Sequence, residues 1–93
     1  MPTLMDQADG FDWLEQIVYK IITKHGVKPT EVEECFCEEK YKIRRAENDT
    51  YQLFSRAENG RYLFVVFAWK KKLIRVITAR DMDDRERNYY RRK

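Results

Sequence analysis

The sequence predicts an α+β domain: two N-terminal helices packed on a four-stranded antiparallel sheet, followed by a C-terminal helix. Three observations carry this. Apolar residues recur at spacings of three and four up to Phe36, the period of an amphipathic helix. From Lys40 the period falls to two, and two long apolar runs follow. From Asp83 the chain returns to a charged, helical pattern. A chain of 93 residues holds one core. Residues 11–93 are therefore read as a single domain, and the polar, loosely patterned residues 1–10 as a flexible tail.

Phe11 to His25 is the clearest helix. Leu14, Ile17, Val18, Ile21, Ile22 and His25 form one apolar stripe, Asp12 can cap it, and Gly26 ends it. A shorter helix follows, with Pro29 in its first turn and Thr30 and Glu33 in a capping-box pattern. Val32, Cys35 and Phe36 are its buried side; Glu31, Glu34 and Glu38 are its acidic outer side. Tyr41 to Arg44 alternates as an edge strand, Glu47-Asn48-Asp49 turns, and Tyr51 to Ala57 is a second strand.

Asn59-Gly60 predicts a tight hairpin. A two-residue loop there pairs Ser55 with Phe64, Phe54 with Val65 and Leu53 with Val66. The apolar runs Leu63–Trp69 and Leu73–Ala79, joined by Lys70-Lys71-Lys72, are the central strands. If Phe67 pairs with Arg75, one face carries Gln52, Phe54, Arg56, Phe67, Trp69 and Arg75. The other, with Leu53, Phe64, Val66, Ile74 and Val76, lies under the helices. A one-residue slip in the lysine turn reverses Arg75. Asp83 with Glu86 caps the last helix.

Charge is divided along the chain. Residues 1–39 hold nine acidic and three basic residues, a net of −6; residues 40–93 hold sixteen basic and seven acidic, a net of +9. The second half therefore favours an anionic partner such as RNA, DNA or an acidic protein segment. Cys35 and Cys37 are too close on a helix to pair, and one histidine with two cysteines is too little for a zinc framework. No cofactor or metal is expected. Without a signal sequence or a run near the ~20 apolar residues of a membrane span, a reduced cytoplasmic protein is expected.

Three segments resemble the BrnT family of toxins from bacterial type II toxin–antitoxin systems. The first is Trp13 with Lys24-His25-Gly26-Val27 and Pro29 to Glu33. The second is Gly60 to Phe67. The third is Arg75 to Met82, closing with Asp84-Arg85-Glu86-Arg87 and Tyr89-Tyr90. The resemblance implies a RelE-like fold, RNA cleavage, and neutralisation by a BrnA-like antitoxin in a 2:2 complex. In the first segment Leu14 stands after Trp13, where the family carries an acidic residue.

Metal-free RNA cleavage needs a base for the 2′-hydroxyl, a cation for the phosphate and an acid for the leaving oxygen. His25, the one histidine, is a candidate acid or base; the alternative is a helix-end residue packed on the sheet. Arg75 and Arg80 are candidate phosphate ligands, or else partners of carboxylates. Glu86 is a candidate base or simply a cap. Lys24, Lys70, Lys71, Lys72, Arg85 and Tyr89 are candidate RNA contacts, the tyrosine by stacking; solvated surface groups are the alternative. A ribonuclease groups His25, Arg75 or Arg80 and a last-helix side chain at one cleft. A non-catalytic RNA-binding or protein-interaction module of the same fold does not.

Overall fold

A computed structural model describes residues 2–92. The helices are α1 (Glu15–His25), α2 (Pro29–Phe36) and α3 (Asp84–Arg91). The strands are β1 (Gly10–Phe11), β2 (Lys42–Arg45), β3 (Thr50–Arg56), β4 (Tyr62–Lys70) and β5 (Leu73–Asp81), in the sheet order β1-β5-β4-β3-β2. β1 runs parallel to β5 and the other pairs are antiparallel. This corrects the expected four-stranded antiparallel, RelE-like sheet to a five-stranded mixed one.

The added strand comes from the segment read as a tail. Residues Leu4–Gln7 form a 3-10 turn that buries Leu4 in the main core. Gly10 and Phe11 then pair with Leu73 and Ile74. Two residues carry no readable period, so this strand was invisible in the sequence. Its position also displaces the start of α1. Leu14, not Asp12, is the N-cap residue, and the Asp12 carboxylate instead accepts from Arg75 at 2.6 and 2.9 Å.

α1 ends at Gly26, whose φ of 62° suits a residue without Cβ. Ile21, Val27, Val32, Cys35 and Phe36 are buried against Leu53, Leu63, Val65, Phe67, Ile74, Val76 and Ala79. The opposite sheet face is covered by α3, where Phe54, Phe64, Met82 and Tyr90 form a smaller core.

The hairpin register is one residue from the expected one: Ser55 faces Leu63, Phe54 faces Phe64 and Leu53 faces Val65. The Ala57 N–H donates to the Arg61 carbonyl and the Gly60 N–H to that of Ala57. The loop is therefore longer than two residues, with Gly60 at φ 90°. The shift moves Phe67 and Trp69 to the helix-covered face and Phe64 and Val66 to the α3 face. At the lysine turn Lys70 pairs with Leu73, and Arg75 pairs with Ala68 rather than Phe67.

A bulge between Val66 and Phe67 on the β4 side leaves Ile77 extra on β5. Lys20 Nζ donates to the Ile77 carbonyl at 3.0 Å, satisfying a group that the interrupted ladder cannot. The extra residue resets the alternation. Arg75 and Arg80, an odd number apart, consequently both project from the face away from α1 and α2.

Candidate functional site

α3 organises the cationic surface. The Asp83 carboxylate accepts from the Glu86 N–H at 2.8 Å and Glu86 accepts from the Asp83 N–H at 3.0 Å, the reciprocal capping box read from the sequence. Tyr90 is buried and its hydroxyl donates to the Lys40 carbonyl at 2.9 Å. These contacts fix which flank of α3 meets the sheet.

On one flank Arg87 and Arg91, one helical turn apart, lie over Tyr62, with guanidinium carbons 5.2 and 5.4 Å from the ring centroid. Arg56, paired in register with Tyr62 on the neighbouring strand, lies 5.9 Å from it. Arg91 Nη2 donates to the Tyr62 hydroxyl at 3.4 Å. Hydrogen bonding by Arg91 and then Arg56 holds the phenol below its ordinary pKa. On the other flank, Arg44, Phe54, Asp83, Arg85, Glu86, Tyr89 and Arg92 line a cleft of about 330 Å³. There the Arg44 guanidinium sits 4.8 Å from the Tyr89 centroid and 5.0 Å from that of Phe54. Lys42 Nζ is 4.6 Å from the Tyr89 centroid and donates to the Tyr89 carbonyl at 2.6 Å.

The sequence candidates divide among several places. Arg85, Tyr89 and Glu86 line the α3 cleft. Arg80 binds Glu86 bidentately at 2.8 and 2.9 Å and stacks 4.4 Å from the Phe64 centroid. Arg75 is paired with Asp12. Along β5 it stands on the order of 15 Å from Arg80, too far for both to grip one phosphate. Lys70, Lys71 and Lys72 lie at the other end of β4 and β5, roughly 25 Å from the start of α3. Lys24 is exposed and His25 half-buried in the last turn of α1.

His25 lies beside a polar junction. Its carbonyl accepts from Arg61 Nη2 at 3.0 Å, and Arg61 Nη1 donates to the Gly26 carbonyl at 2.7 Å. Arg61 also binds Glu31 and both oxygens of Asp81. Its hydrogen bonds hold Asp81 below the ordinary carboxylate range, with Arg87 and His25 adding their fields. Asp81 thus stands electrostatically between His25 and the arginines around Tyr62.

The candidates taken from the sequence do not include Arg44, Arg56, Tyr62, Arg87, Arg91 or Arg92. Arg87 and Arg91 carried a readable signal, being four apart on a helix. Arg56 and Tyr62 meet only through the hairpin register, which a two-residue loop misplaces. Among the described residues, no group of three or more His, Cys, Asp and Glu side chains could hold a metal ion, and no helix is long and apolar enough to cross a membrane.

A comparison with curated protein sequences finds no match. Among solved structures, the fold is similar to the crystal structure of the ribonuclease toxin BrnT of Brucella abortus. The TM-score is 0.67 at 18% identity, over 81% of this chain and 97% of that one. A family model described as "Ribonuclease toxin, BrnT, of type II toxin-antitoxin system" matches residues 13–86. That span takes in both packed helices, four strands and the capped start of α3, so the chain belongs to the BrnT family of ribonuclease toxins of type II toxin–antitoxin systems.

Proposed function

We propose that this member of the family acts in the cytoplasm, cleaving RNA by metal-independent acid–base chemistry, and is neutralised by a BrnA-like antitoxin in a 2:2 assembly. One observation supports an RNA substrate above the others. Arg44, Arg56, Arg85, Arg87, Arg91 and Arg92 gather on and beside α3, and among the described residues none has a carboxylate within salt-bridge distance. Guanidinium groups without counter-ions attract a polyanion, and the half-buried Tyr89 adds a ring on which a base can stack.

His25 supplies a proton donor or acceptor at the edge of this surface. Arg80 and Glu86 act as a pair, holding α3 and its arginines in place. Lys24, Lys70, Lys71 and Lys72 extend the electrostatic attraction, and Arg75 adds a neutralised pair at the sheet rim.

Purified protein is expected to cleave RNA in the presence of a metal chelator, and His25→Ala and Arg80→Ala to cleave it more slowly. Dependence of cleavage on an added divalent ion would remove the metal-independent step. Expression is expected to arrest bacterial growth, with relief by the co-expressed antitoxin and a mass for the complex of two chains of each. The engagement of Arg75, Arg80 and Glu86 in ion pairs favours the second reading, a non-catalytic binding module. RNA binding without cleavage would establish it.

A further inference from the structure

The geometry points to Tyr62 as a catalytic residue of the ribonuclease reaction: its hydroxyl takes the proton of the RNA 2′-hydroxyl, while Arg56, Arg87 and Arg91 hold the adjacent phosphate. This inference rests on the ribonuclease reading and names the group that performs its first proton transfer.

The placement comes from three elements. Tyr62 opens β4 on the face covered by α3 and is only half-buried. Tyr90 packs edge-on against its ring, with centroids 5.8 Å apart. Arg56 reaches it from β3, and Arg87 and Arg91 from α3, all within 6 Å of the centroid and all three exposed. Among the described residues none of these arginines has a carboxylate within salt-bridge distance. Three cations around one phenol repel one another in the free protein, and a bound phosphodiester relieves that repulsion. Hydrogen bonding to the hydroxyl by Arg91 and Arg56 favours the phenolate over the phenol and lowers the pKa of Tyr62. Arg56 from β3 and Arg91 from α3 reach the hydroxyl, and Arg87 and Tyr90 from α3 are the other charged and titratable groups set against the ring. Asp81, across from Leu63, projects from the other face and is bound by Arg61, but its carboxylate also feels the charge of Arg87.

The reaction balances without a metal or redox partner. Tyr62 phenolate takes the 2′-hydroxyl proton as the 2′-oxygen attacks the neighbouring phosphorus. The bond from phosphorus to the 5′-oxygen breaks, and that oxygen takes a proton from water. The products are a 2′,3′-cyclic phosphate and a 5′-hydroxyl end. Tyr62 then returns its proton to solvent. The arginines neutralise the additional charge on the phosphorane oxygens.

Tyr62→Phe keeps the ring, its packing on Tyr90 and the three guanidinium neighbours, so its melting temperature is expected to equal that of the wild type. It is expected to bind fully 2′-O-methylated RNA within about twofold of wild type, and to cleave unmodified RNA at least ~100-fold more slowly. The wild-type rate should rise with pH through a pKa below that of an ordinary tyrosine, a limb absent from Tyr62→Phe. Arg56→Gln, at an exposed position, should move that limb towards higher pH. Wild-type cleavage rates in Tyr62→Phe, or an unmoved limb in Arg56→Gln, would overturn the role of Tyr62 and leave the ribonuclease reading standing. Wild-type protein that binds the methylated RNA but cleaves no RNA would overturn both.

Discussion

Arg61 shows how much one side chain joins. It reaches the last carbonyls of α1, Glu31 of α2 and Asp81 at the end of β5, tying the helical pair to the sheet at the end where His25 sits. Arg61→Ala takes the guanidinium donor from the helix-end carbonyls and Asp81 and removes one of three donors to Glu31. We expect it to cost about 2–3 kcal/mol in urea denaturation. The same junction sets an acid response. Asp81 is held low by Arg61; at Glu31, burial opposes ionisation, but Lys28, Asn59 and Arg61 outweigh it. Both folded-state pKa values lie below the unfolded ones. Their stabilisation is therefore present above the unfolded carboxylate pKa and lost as pH falls through the depressed folded values. Acid titration of unfolding should show this loss, and Arg61→Ala should flatten it. The two thiols differ as sharply. Burial pushes Cys35 up to about 12, while Cys37 is exposed. A maleimide reagent should label one thiol in the folded protein and two after denaturation.

At the scale of the element, α3 is short and depends on its cap. Only Tyr90 of its eight residues is buried, so much of its stability must come from the Asp83 box and the Arg80–Glu86 pair. Asp83→Ala is expected to cost about 1 kcal/mol. Because α3 carries Arg87 and Arg91, the same change should also weaken RNA binding, measured by fluorescence anisotropy. α2 is capped two residues before the expected Thr30–Glu33 pair, with the Lys28 N–H donating to Glu31 at 2.9 Å. The Asp83–Glu86 box and the helix-ending Gly26 have short-range causes and were legible in sequence. The N-terminal strand was not. Leu4 and Phe11 join the main core, and Leu4→Ala is expected to cost about 2–3 kcal/mol, whereas a change in an unstructured tail would cost nothing.

For the molecule as a whole, the split between an acidic first half and a basic second half becomes a division in space. α1 and α2 cover one sheet face; α3 and its arginines occupy the other. RNA affinity should fall linearly with salt on logarithmic axes, with a slope of about 0.7 per phosphate engaged. An affinity independent of salt would exclude the α3 surface as the binding face.

The sequence by itself determined the α+β class, the three helices, the antiparallel core of four strands and the resemblance that the family match bears out. Each rests on local periodicity, turn chemistry or contiguous motifs. The tertiary structure alone decided the fifth strand, the hairpin register and the bulge that turns Arg75 and Arg80 to one face. It also decided which cations are neutralised, Arg75 by Asp12 and Arg80 by Glu86, and which remain free around Tyr62. A carboxylate partner 63 residues away leaves no periodic trace in the chain. A one-residue shift in register exchanges the faces of every side chain on a strand.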